Sequence, residues 1–210
     1  MSREKAASPH RTSFTGHGLP RWSSDPIILE TMARIREYGW SVTAVSDTCQ
    51  RCAATECGSE FSLGYTTGLG LHAIPELAVY GLDGSTSVRV LNEVAVLLHD
   101  ADWRELVAEE ATIHLRCIDA PVRLVELLDN SDLLITNELF PDADLLQVIW
   151  SDEWGHFPGD DDYTLNDHDQ PIKGILDSDI PPARGRRVMN QCVGLNRGQR
   201  RQAGRTRKRR

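Results

Sequence analysis

No stretch of this 210-residue chain approaches the roughly 18 to 20 consecutive apolar residues that a membrane helix needs. A membrane protein is therefore not expected. The opening Met1-Ser-Arg-Glu-Lys runs into polar residues and lacks the apolar core of about 7 to 15 residues found in a secretory signal, so the expectation is a cytoplasmic protein. There is no Walker glycine loop, no dinucleotide fingerprint and no H-E-x-x-H. Nucleotide hydrolysis, Rossmann cofactors and zincin chemistry thus have no motif behind them, and no cofactor is favoured. Internal repeats are also missing.

Acidic residues are missing from the end of the chain. All 31 lie before Ala183, against 12 basic residues there, giving −19 over residues 1–182; residues 183–210 carry eleven basic side chains and +11. The overall net charge of −8 is the remainder of two opposed electrostatic units. An acidic body repels phosphate, whereas an arm containing Arg200, Arg201, Arg205, Arg207, Lys208, Arg209 and Arg210 suits nucleic acid, an anionic surface or the body itself. The arm has few large apolar residues and is expected to be disordered until bound. A merely solubilising tail is the plainer alternative.

Five cysteines make an odd count in a chain without an export signal, which points to reduced thiols. Cys49, Cys52 and Cys57 cluster closely enough to share a zinc or cluster iron, provided that Cys117, Cys192 or His72 supplies a fourth ligand. No second C-x-x-C accompanies them, so a cysteine-bearing surface loop is the simpler reading and metal is not favoured.

The pattern of the chain suggests three regions: a disordered leader over 1–23, an α+β domain over 24–182, and the basic disordered tail over 183–210. Ser24-Asp25-Pro26 is a helix start, Ile28, Met32 and Ile35 recur on one face, and Gly39 can close the end. Period-two alternation predicts strands over 40–45 and 111–118. Runs at 61–67 and 77–82 read as neighbouring antiparallel strands around a glycine-rich connection with Pro75. Ser85 or Thr86 can cap a helix over 87–99, whose Val90, Leu91, Val94, Leu97 and Leu98 share one face. Residues 121–140 fit either a strand and a helix or two short helices. Residues 145–150 fit a buried strand. The fold class expected is α+β, an antiparallel or mixed sheet flanked by helices.

Several segments carry a resemblance in combination: Tyr38-Gly39-Trp40, Tyr65-Thr66-Thr67-Gly68-Leu69, Pro75-Glu76-Leu77, Gly81-Leu82, Leu91-Asn92, Leu146-Gln147-Val148-Ile149-Trp150, Gly155-His156-Phe157-Pro158 and Gln170-Pro171. In this order, from about Asp25 to Leu176, the chain resembles the bacterial family known as domain of unknown function 4262. The resemblance implies an intracellular α+β domain and brings no mechanism with it. A hydrophobic residue is more usual in the family where Thr67 stands, and an aromatic one where Gly159 stands. The cysteine cluster and the basic arm look peculiar to this chain.

Two loops hold the candidate chemistry. Tyr65, Thr66, His72 and Glu76 place hydroxyls, an imidazole and a carboxylate in one strand-loop-strand unit, where His72 and Glu76 are candidate acid and base. Residues 150–158 combine Trp150, Trp154 and Phe157 with Asp152 and His156 just past a strand end, the composition of many ligand pockets. Each has a plain structural alternative, since a loop histidine is commonly a surface residue and buried tryptophans commonly anchor a core. If the loops meet, Tyr65, His72, Glu76, Asp152 and His156 form one polar cluster, with Tyr65, Thr66, Trp150, Trp154 and Phe157 as ligand-binding walls. The function expected is binding or modification of an unknown small molecule there; the alternative is an interaction module whose acidic domain binds protein and whose tail binds nucleic acid. Gly64-Tyr65-Thr66-Thr67-Gly68 spells a nucleophile elbow with threonine as nucleophile but lacks the helix that must follow. Asp160, Asp161 and Asp162 with Asn166, Asp167 and Asp169 evoke a calcium loop with Asp160 and Asp162 as first ligands, but Leu165 stands where glycine is required and no glutamate closes it.

Overall fold

The computed structural model describes residues 18–46, 62–174 and 176. Helix α1, Pro26–Tyr38, begins where Asp25 accepts the Ile27 N–H at 2.7 Å and Pro26 fills the first turn. It buries Ile28, Thr31, Met32 and Ile35, a stripe at helical spacing. Gly39 ends it at φ +97°, donating its N–H to the Ile35 carbonyl.

Strand β1, Ser41–Ser46, pairs antiparallel with β2, Ser62–Thr67, and β2 pairs antiparallel with β3, Glu76–Tyr80. Strand β4, Val122–Glu126, pairs antiparallel with β5, Leu145–Trp150. The join is parallel: β3 and β5 run side by side with Glu76 opposite Leu145 and Val79 opposite Val148. The sheet is therefore mixed, in the order β1-β2-β3-β5-β4. A parallel pair suits the centre because both strands are buried on both faces.

Helix α2, Gly84–Leu98, covers one face. Its Val90, Leu91, Val94 and Leu98 pack with Leu77, Val79, Leu146 and Val148, each such buried side chain stabilising the fold by about 1.5–3 kcal/mol. Asp83 caps α2 by accepting the Ser85 and Thr86 N–H groups, so the helix starts earlier than the 87 expected of a Ser85 or Thr86 cap. Gly64 permits the close approach of strand to helix, since a Cβ there would lie 2.6 Å from the Ser87 Cβ. The other face buries Leu63, Tyr65, Ala78 and Tyr80 against Leu127 and Leu133. Residues 121–140 resolve into β4 followed by a short helix α4, Leu134–Leu139; another short helix, α3, Trp103–Ala108, follows α2.

One expected strand is largely not formed. Of residues 111–118 only Ile113 makes a β-bridge, to Val122, because the Arg116 and Cys117 N–H groups donate to the two oxygens of Glu93 on α2 instead of to a strand. Among the described residues no helix is long and apolar enough to cross a membrane.

Candidate functional site

Glu76 stands at the first position of β3 with none of its surface exposed. Its Oε1 accepts the Gly68 N–H at 2.7 Å and the Gly70 N–H at 3.1 Å, and its Oε2 accepts the Thr66 hydroxyl at 2.7 Å. Thr66 Oγ1 in turn accepts the Leu77 N–H at 2.8 Å. Burial pushes the carboxyl up from its ordinary range, and these bonds from Gly70, Thr66, Gly68 and Leu69 oppose the rise. The carboxylate shapes the 3-10 turn Leu69–His72, which occupies the place where a nucleophile elbow requires an α-helix. With its hydroxyl donating to Glu76 and accepting from Leu77, Thr66 is a buried structural linker.

His72 belongs to a different neighbourhood. Its Nε2 lies 3.2 Å from the Gly39 carbonyl, and its ring packs edge-on against Trp40 and His99, with centroids 6.3 and 5.2 Å away. Tyr65 lies buried on the α4 side, its hydroxyl 3.5 Å from the Ile135 N–H.

The loop after β5 is organised by Asp152, of which 4% is exposed. Its Oδ1 accepts the Trp154 and His156 N–H groups and its Oδ2 accepts both the N–H and the hydroxyl of Thr164, all within 2.8–3.1 Å. Burial pushes this carboxyl up, but the bonds from His156, Thr164 and Trp154 outweigh it and hold the group at about 2. His156 Nδ1 lies 3.1 Å from the Asp162 carbonyl and 3.6 Å from Asp152 Oδ2. Trp150 donates its indole N–H to the Tyr80 carbonyl, Phe157 is buried beneath the Arg123 guanidinium at 4.0 Å, and Trp154 is 70% exposed.

These two loops do not converge, which corrects the expectation of a shared pocket. Because β3 and β5 are parallel, Glu76 lies beside the start of β5 and Asp152 follows its end. Five residue steps from Leu145 to Trp150 separate the levels by about 17 Å. His72 and Glu76 thus stand at one end of the sheet and Asp152 and His156 at the other, while Tyr65 sits mid-strand opposite Ala78.

Cys49, Cys52, Cys57, Cys192 and the basic tail, from Arg200 to Arg210, lie outside the described residues. Among the described residues no group of three or more His, Cys, Asp or Glu side chains is placed to hold a metal ion. The acidic loop binds its own backbone: Asp160 accepts the Phe157 N–H and Asp169 the Asn166 N–H.

Among the described residues, an arrangement with room for a ligand lies along the outer side of α2. An open groove of about 700 Å³ runs between α2 and residues 114–117, walled by Val96, Leu97 and Leu115 and bearing Arg89, His114 and Arg116. Among the described residues neither arginine makes an ion pair; Arg89 donates to the Thr86 hydroxyl at 3.1 Å. Glu93 also lines the groove, with each oxygen accepting a backbone N–H from Arg116 or Cys117, bonds that hold its carboxyl below the ordinary range. Burial and Glu93 push the Cys117 thiol up, leaving it a neutral wall. The clue in the sequence was the pair of basic residues flanking Leu115, which an alternating strand pattern treats as solvent-facing.

A five-stranded mixed sheet with the long helix α2 on one face defines an α+β domain. Residues 34–164 match the family described as Domain of unknown function (DUF4262), and the chain belongs to that family. No curated protein and no solved structure shows a significant similarity to it.

Proposed function

We propose that this domain binds a small anionic molecule in the groove between α2 and residues 114–117. The observation that supports the reading is the gathering of Arg89, Arg116 and His114 around a groove of about 700 Å³ in a chain of net charge −8. Ligand sites typically occupy about 300–1,000 Å³, with apolar walls and a few convergent polar groups. Two guanidiniums outweigh the single Glu93 carboxylate, and a local positive field in an acidic protein concentrates anions. Guanidinium forks suit carboxylate and phosphate oxygens. Both Glu93 oxygens are engaged by backbone N–H groups and the Cys117 thiol is pushed up, so binding is the activity proposed.

The reading is tested by titrating inorganic phosphate and citrate into the full chain and following backbone amide resonances. Shifts concentrated at Arg89, Glu93 and 114–117, with affinity at least tenfold weaker in an Arg89→Ala, Arg116→Ala double variant of unchanged stability, are expected. Binding of both anions with equal affinity in the double variant defeats the proposal.

The charge of residues 183–210 supports a second activity, contact with nucleic acid through Arg200, Arg201, Arg205, Arg207, Lys208, Arg209 and Arg210. Affinity for DNA or RNA should then fall steeply with salt and vanish on deletion of 183–210. Retention by the deleted chain removes this second reading.

A further inference from the structure

The groove has a neighbour. Asn92, which lines it, also lines a second groove of about 340 Å³ on the other flank of α2, formed with Arg34, Tyr38, Trp40, Val42 and Val88. Asn92 is anchored on both sides: its Oδ1 accepts the Trp40 indole N–H at 2.9 Å and its Nδ2 donates to the Val88 carbonyl at 2.8 Å. Trp40 is held as well, since its ring packs against those of His72 and His99 at 6.3 and 5.9 Å. The two grooves therefore share Asn92 as a border, and because its side chain is already fixed, a ligand crossing it pays little to order it.

The poles differ in chemistry. The first carries Arg89, His114 and Arg116. In the second, the Arg34 charge is tied to Glu30 at 2.6 Å, and Tyr38, Trp40, Val42 and Val88 supply ring and alkyl surface beside Ser41 and Asn92. Tyr38 is exposed and Trp40 half-buried, so both offer ring surface to a flat partner. The poles lie on opposite flanks of one helix, roughly 10 Å apart.

Resting on the anionic-ligand reading above, we infer that the ligand is bipartite: an aromatic ring seated against Tyr38, Trp40 and Val88, joined across Asn92 to a phosphate or carboxylate held by Arg89 and Arg116. A free inorganic anion fills only one pole. A nucleoside monophosphate has the required build, a flat base and a dianion joined by a sugar.

The test uses the full chain and three probes, adenosine monophosphate, ribose 5-phosphate and adenosine, each titrated by calorimetry and by amide resonances. Adenosine monophosphate is expected to bind at least tenfold more tightly than either fragment and to shift Val42 and Val88 together with Arg116 and Cys117. Val88→Glu, placing a carboxylate at the partly exposed flank of α2, is expected to abolish that advantage. Trp40→Phe, which removes the indole N–H bond to Asn92 but keeps a ring, should retain most of it. Equal affinity for adenosine monophosphate and ribose 5-phosphate, with shifts confined to the Arg116 side, overturns the bipartite ligand and leaves the anion groove standing. Equal affinity for adenosine monophosphate and adenosine overturns it from the other side. Binding of none of the three overturns the bipartite ligand; if phosphate and citrate also fail, the underlying reading falls with it.

Discussion

The Thr66 hydroxyl donates to Glu76 Oε2 at 2.7 Å while accepting the Leu77 N–H at 2.8 Å, tying the end of β2 to the start of β3 through side chains. The other oxygen of Glu76 gathers the Gly68 and Gly70 N–H groups. One buried carboxylate thus determines the course of the turn between two strands.

Glu76→Ala should accordingly be among the most damaging substitutions in the domain. It leaves two N–H groups and a hydroxyl without their acceptor, at about 1–3 kcal/mol for each group that stays buried and unsatisfied. Urea denaturation is the measurement, with a loss of about 3 kcal/mol or more expected. Glu76→Gln keeps one acceptor oxygen and should cost less. A loss below about 1 kcal/mol in Glu76→Ala contradicts the structural role.

Glu76 and Asp152 should pull stability in opposite directions with pH. The raised folded-state pKa of Glu76 means that its contribution is complete below the ordinary glutamate range and is lost as pH rises through the folded value. Asp152, held at about 2, contributes above the ordinary aspartate range and loses that contribution as pH falls from about 4 toward 2. Asp152→Asn should flatten the acid limb of a denaturation profile over that window, and Glu76→Gln should flatten the decline above it. Unchanged profiles in both variants contradict the assignments.

His99 should titrate below an ordinary histidine, because burial disfavours its charge and His72 adds to the effect. In His72→Gln the His99 ring resonances should titrate at a higher pH than in the parent. Stability associated with His99 is present above the ordinary histidine value and declines as pH falls through the depressed one.

Gly64→Ala should destabilise by about 1–3 kcal/mol, since the added carbon arrives 2.6 Å from the Ser87 Cβ between β2 and α2. Ser87→Gly in the same chain should recover part of the loss despite its helix-propensity cost of about 1 kcal/mol. A double variant no more stable than Gly64→Ala alone shows that the clash lies elsewhere.

Much of the scaffold was readable locally. α1 declared itself through Asp25-Pro26, the Ile28-Met32-Ile35 stripe and Gly39, and β5 through its unbroken run of large residues. Residues 111–118 misled because their alternation is genuine, but Glu93, distant in sequence, captures the amides that a strand would use. α3 and α4 are only six residues each, less than two turns, and α4 has no side-chain cap, so neither leaves a strong periodic trace. The candidate site went astray for a topological reason. Glu76 and Asp152 each flank a strand, but only the parallel pairing of β3 with β5 reveals that the flanks point to opposite ends. The α2 grooves arise from partners such as Trp40 and Asn92, 52 positions apart, a proximity that no local pattern encodes.

The parallel pairing also sets an order of events during synthesis. β3 meets β5 only after the chain has continued through α2, α3, β4 and α4, and β4 too pairs only with β5, so both joins wait for the last strand that the ribosome delivers. Until Leu145–Trp150 emerges, β3 presents an open apolar edge to the surrounding medium. Nascent chains arrested before Leu145 should therefore associate with chaperones or with one another, whereas chains released beyond Lys173, which carry Gln170 and the clasp of Lys173 on Asp129, should fold to protease resistance.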